Sequence, residues 1–107
     1  MKTLATVHDY IEDHIASDIS LSDLACLVSM KADTFARRFK ATTGLPPYAY
    51  VLERRARRAE ELLSKTDLPV SVVAHSLGYS SQSHLTSALR RMRGLTPRSL
   101  RLQNPGS

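Results

Sequence analysis

Residues 21–47 and 70–97 are two versions of one pattern. Displaced by 49, Leu21, Ser22, Leu24, Ala25 and Val28 fall on Val70, Ser71, Val73, Ala74 and Leu77. Displaced by 50, Phe35, Phe39, Lys40, Gly44, Leu45 and Pro47 fall on Leu85, Leu89, Arg90, Gly94, Leu95 and Pro97. The register changes by one inside the intervening turn, where an inserted residue disturbs least. Each version reads as short apolar helix, tight turn, longer amphipathic helix and glycine stop. That is a helix-turn-helix layout, present twice. Ala25 and Ala74 are small where the first helix must approach the second closely. Gly78 supplies a permissive backbone at the second turn; Ser29 takes that place less comfortably in the first.

The remaining chain reads as helix too, with no convincing strand. Leu4, Val7, His8, Ile11 and Ile15 recur at helical spacing, predicting a helix over 3–16. Ser20 is placed to cap a helix over 21–28, with Asp23 in its first turn. The Phe35 and Phe39 stripe predicts a helix over 32–43, ended by Gly44. Pro46-Pro47 opens the longest helix, to about Ser64, with Val51, Leu52, Ala56, Ala59, Leu62 and Leu63 inward. Helices over 70–77, from Ser80 or Ser81 to Gly94, and over 97–102 follow; residues 104–107 are expected to fray. The fold class is all-α with seven helices. The 107 residues form a single domain of subdomain 1 (about 3–45), linker helix (about 46–64) and subdomain 2 (about 66–102).

Composition narrows the function. Fifteen Lys+Arg against ten Asp+Glu give +5. The first 30 residues hold one lysine and five acids, a net of −4, so the other 77 carry +9. That density of base suits a polyanion, nucleic acid or an anionic membrane surface, although solvated helix faces would look the same. No apolar run spans a bilayer, and a single cysteine excludes an internal disulfide. The chain reads as a soluble domain of a reducing compartment.

No other chemistry is legible. His8, His14, His75 and His84 lack metal-ligand spacing, and no catalytic triad or phosphate-binding glycine loop occurs. Neither an enzyme nor a cofactor site is expected. Cys26 reads as a small core residue, and Tyr48 and Tyr50 as core. Arg55 reads as structural. The arginines at 54, 55, 57 and 58 can pair with Glu53, Glu60 and Glu61 at helical spacing. Among the histidines, His84 is best placed to meet a nucleic-acid partner.

The run Phe35-Ala36-Arg37-Arg38-Phe39-Lys40, with Gly44, Pro47, Tyr50, Arg55, Ala59 and Leu62-Leu63, resembles the DNA-binding domain of AraC/XylS-family bacterial transcription regulators. So do Asp67-Leu68-Pro69-Val70, Val73-Ala74, Leu77-Gly78-Tyr79, Ser81-Gln82-Ser83 and Gly94-Leu95-Thr96-Pro97. The resemblance covers about residues 4–101. It implies two helix-turn-helix subdomains joined by the helix 47–64. It implies sequence-specific binding of double-stranded DNA, in the bacterial cytoplasm at the nucleoid. RNA polymerase, and a sensing domain that this chain does not contain, stand as further partners the family suggests. The chain then reads as a stand-alone regulator or as an excised domain. With no heptad seam or large apolar patch, a monomer without membrane contact is expected.

The DNA-facing residues follow from helical spacing. With Phe35 and Phe39 inward, Ala32, Asp33, Ala36, Arg37 and Lys40 share the outer face. Arg37 can bond guanine O6 and N7, and Asp33 can accept from cytosine N4. With Leu85 and Leu89 inward, Gln82, Ser83, Thr86, Ser87 and Arg90 face out beside Ser81; Gln82 suits adenine N6 and N7. Readers about 34 Å apart would meet adjacent major grooves of one duplex. Four departures stand out. Lys31 replaces the family's serine cap, so Asp33 would cap a later-starting helix. Ser87 replaces an arginine, Arg93 an aromatic and Leu89 a phenylalanine, which softens the second core. A helical protein-interaction module that has lost DNA binding is the alternative, and RNA binding is weaker still because no single-strand platform is evident.

Overall fold

A computed structural model describes residues 4–102. Seven helices follow in order: α1 (Leu4–Asp13), α2 (Leu21–Leu27), α3 (Ala32–Thr43), α4 (Pro47–Lys65), α5 (Val70–Ser76), α6 (Gln82–Arg93) and α7 (Pro97–Arg101). No strand occurs among the described residues. Two compact units divide within α4, between Leu52 and Glu53. The expected fraying of 104–107 lies outside the described residues.

In the first unit, Val7, Ile11, Leu24, Ala25, Phe35, Phe39 and Val51 form one buried core. α2 packs on α3 and α1 on α2. Phe39 stands edge-on to Tyr50, centroids 5.2 Å apart. The Tyr50 hydroxyl lies 2.5 Å from His8 Nδ1, so the polar tips of both rings are paired beside the core. α1 is shorter than its apolar spacing suggested. It ends at Asp13, and the Tyr10 carbonyl takes the His14 backbone N–H at 3.0 Å, with the His14 ring Nδ1 at 2.9 Å. The His14 ring thus folds back over the last turn onto a carbonyl that the backbone already bonds.

In the second unit, Ala56, Ala59, Leu63, Val73, Ala74, Leu77, Tyr79, Leu85, Ala88, Leu89 and Leu100 are buried, and α5 packs on α6. Leu85 and Leu89 are fully buried. Arg93 occupies the position expected for an aromatic and ties α6 to α4 by charge. Its Nε donates to Glu60 Oε2 at 2.8 Å and its Nη1 to Glu53 Oε1 at 2.6 Å. Arg101 donates to the Thr66 and Leu68 carbonyls and fastens the loop before α5. α7 starts in a capping box, Thr96 with Ser99.

The two turns match bond for bond. Met30 N–H donates to the Ala25 carbonyl and Tyr79 N–H to the Ala74 carbonyl, both at 3.0 Å. Ser29 has φ +54° and Gly78 φ +84°. Both turns need a left-handed residue, and the first obtains it from a serine. The extra residue of copy two follows this point. Ser80 and Ser81 stand between Tyr79 and α6, whereas Lys31 alone stands between Met30 and α3.

Two burial expectations fail. Cys26 is exposed, because α2 turns Leu24 and Ala25 inward and carries the thiol away from them. Tyr48 is 73% exposed: in the first turn of α4 the neighbouring Pro47 and the later Val51 take the inward positions.

Candidate nucleic-acid interface

The longer helix of each turn motif presents one polar stripe. On α3, Asp33, Arg37 and Lys40 are exposed, opposite buried Phe35 and Phe39. On α6, Ser83, Ser87 and Arg90 are exposed, opposite buried Leu85, Ala88 and Leu89. These triplets stand 50 residues apart, position for position. The duplication has therefore preserved one outward row while changing its chemistry. Copy one carries an acid and two bases; copy two carries two hydroxyls and one base.

The other expected residues divide. Ala32 and Ala36 are half-buried. Ala36 lines an apolar groove of about 250 Å³ with Leu21, Leu24, Pro47, Tyr48 and Val51, at the edge of the α3 stripe. Gln82 is exposed at the first position of α6. Thr86 is half-buried and its hydroxyl donates to the Gln82 carbonyl at 3.0 Å. Ser81 is the N-cap of α6: its Oγ accepts the His84 N–H at 3.0 Å. Asp33 is not a cap. α3 starts at Ala32 behind Lys31, which makes no side-chain capping bond. An extended Lys31 backbone suffices, and Asp33 stays on the exposed stripe in the first helical turn, where its charge suits the helix dipole.

Sequence spacing did not show what surrounds α6. His84 is exposed, and its ring stands edge-on to Tyr79, centroids 5.2 Å apart. Tyr79 is buried and its hydroxyl has no hydrogen-bond partner among the described residues. Burial pushes this phenol above its ordinary pKa, and the Arg55 guanidinium pulls it down by less. Arg55 is half-buried beside it, which fits a structural role. Of the expected pairs along α4, Arg58 meets Glu61 at 3.8 Å on the surface. No group of three His, Cys, Asp or Glu that could hold a metal occurs among the described residues. No described helix is long and apolar enough to cross a membrane.

A family model described as a helix-turn-helix domain matches residues 24–103. The DNA-binding domain of the transcriptional factor AdpA, solved in complex with a target DNA, superposes with a TM-score of 0.84 at 30% identity, over 95% of this chain and 92% of that one. A Chromobacterium violaceum regulator with an AraC-type DNA-binding domain gives 0.85 at 32% identity, over 94% and 89%. The chain belongs to the AraC/XylS family.

Among curated AraC/XylS relatives, the probable transcriptional regulator LumQ of Photobacterium leiognathi is 34% identical over 94 residues, 88% of this chain and 38% of LumQ. The chain spans between about a third and two fifths of the length of the curated relatives it matches.

Proposed function

We propose that this AraC/XylS chain binds double-stranded DNA sequence-specifically and thereby regulates transcription, as a non-enzymatic binding module acting on the bacterial chromosome in the cytoplasm. The observation that carries the reading is the twice-repeated outward row, Asp33–Arg37–Lys40 and Ser83–Ser87–Arg90, on helices whose opposite faces are buried. A surface kept in register across a duplication serves one task twice. The likeness to the AdpA domain, which was solved in complex with a target DNA, supports the same reading.

α3 and α6 are the two readers, and each enters a major groove, with the two grooves adjacent. Arg37 bonds a guanine through O6 and N7, and Gln82 bonds an adenine through N6 and N7. Asp33 accepts from cytosine or excludes other bases. Lys40 and Arg90 hold phosphate, with Ser83 and Ser87 contributing shorter contacts. Ser81 and Thr86 act through the geometry of α6. Ala32 and Ala36 offer methyl contact at the edge of the stripe. Contact with RNA polymerase, and control by a sensing domain on a longer chain, belong to the same proposal.

Selection from random duplexes is expected to return a bipartite site with blocks about one helical turn apart. Arg37→Ala is expected to lose about 1–3 kcal/mol of discrimination in one block and Gln82→Ala a similar amount in the other. Unchanged site preference in both variants would sink these roles. Steeply salt-dependent binding with no enriched sequence would favour a generic basic surface.

A further inference from the structure

The second helix-turn-helix holds a histidine whose ring the fold has oriented. His84 is the third residue of α6. Its ring Nδ1 lies 3.2 Å from the Ser80 backbone nitrogen and 3.1 Å from Ser80 Oγ. A backbone N–H can only donate, so Nδ1 accepts, and the neutral ring carries its proton on Nε2. The perpendicular Tyr79 ring backs the imidazole. Nε2 has no partner among the described residues, and the side chain is exposed. The turn thus prepares an outward N–H donor.

Its place on the helix decides what it meets. At about 100° per residue, His84 and Arg91 share one flank of α6, and Gln82 lies on the other, with Ser83, Ser87 and Arg90 between. Arg91 is also exposed. When Gln82 and the central row face base edges, the opposite flank, with His84 and Arg91, faces the sugar-phosphate backbone. We propose that His84 binds DNA phosphate, its neutral ring donating from Nε2 to a non-bridging oxygen, in one row with Arg91. This rests on the DNA-binding reading above. Fifty residues earlier the same positions hold Thr34, half-buried, and Ala41, so the first reader lacks the row. The second reader, with serines at two of its three central positions, takes more of its grip from the backbone.

The test uses the whole chain and its selected duplex, read by fluorescence anisotropy across salt, with thermal melts of every variant. His84→Ala is expected to weaken binding about threefold to tenfold. The loss should be similar on an unrelated duplex, because phosphate carries no sequence. The salt slope should stay unchanged, because a neutral donor displaces no counterion, whereas Arg91→Ala should lower it by about one. His84→Gln, whose amide nitrogen can replace Nε2, should retain most of the affinity. A neutral methylphosphonate at the contacted position should abolish the difference between the native chain and His84→Ala. If His84→Ala melts early, the His84→Gln and methylphosphonate arms decide. Equal binding by the native chain and His84→Ala overturns the proposal, as does a loss confined to one base pair, which would mark a base-edge contact. If the native chain itself selects no site, the DNA-binding reading fails first and takes this one with it.

Discussion

Ser29 and Gly78 do the same work with different chemistry. Both sit in the left-handed region, at φ +54° and +84°, and each is followed by a residue that bonds back to an alanine carbonyl. A side chain in that region costs about 1–2 kcal/mol, partly offset because glycine frees the unfolded chain. Ser29→Gly is therefore expected to stabilise by about 0.5–1 kcal/mol, and Gly78→Ser to destabilise by a similar amount, in urea melts. A Ser29→Gly variant less stable than the native chain would show that the hydroxyl does work at this turn. The demand for a permissive residue was legible because the repeat aligned Ser29 with Gly78. Cys26 and Tyr48 were not legible for a related reason. α2 has seven residues, too few turns for spacing to identify its inward face, and Tyr48 lies in the first turn of α4, where residue type says nothing of direction.

At the scale of the element, the helices were legible almost to the residue wherever a stop or cap was written locally. Gly44 and Gly94 close α3 and α6 in left-handed conformations, and Thr96 caps α7. What holds α6 was not legible. Glu53 and Glu60 stand two turns apart on α4, and Arg93 spans them from 40 and 33 residues away. Helical spacing assigns such glutamates to neighbours on their own helix, so a partner this distant leaves no local signal. All three side chains are only 27–28% exposed. Arg93→Leu should leave two half-buried carboxylates without their shared cation, at a cost of about 2 kcal/mol. The position expected to hold an aromatic is thus taken by the centre of an ion triad. Thermal melts of Arg93→Leu should fall accordingly, and a melt equal to the native one would mean the triad holds nothing.

Over the whole molecule, the base count overstates the charge offered to a polyanion. Arg93 is paired with Glu53 and Glu60, and Arg58 lies beside Glu61. Lys40 and Arg90 stand exposed on the outward rows. Replacing either Lys40 or Arg90 with alanine should reduce the salt dependence of DNA binding by about one counterion, and Arg93→Lys should leave it unchanged. A shift of the salt slope in Arg93→Lys would place Arg93 on the DNA. Net charge was readable from sequence; its commitment was not, because it depends on contacts between elements.

The unequal turns bear on how specificity could be moved between the halves of such a chain. The backbone is equivalent up to Met30 and Tyr79, and only then does copy two carry its additional serine. A graft of one half's reading helix onto the other has a natural seam immediately after those two residues. Cut there, each cartridge brings its own entry, a bare lysine or a capping serine. Cut before that point at an offset of 50, or after it at 49, the helix would arrive one residue out of phase and turn its reading row by about 100°.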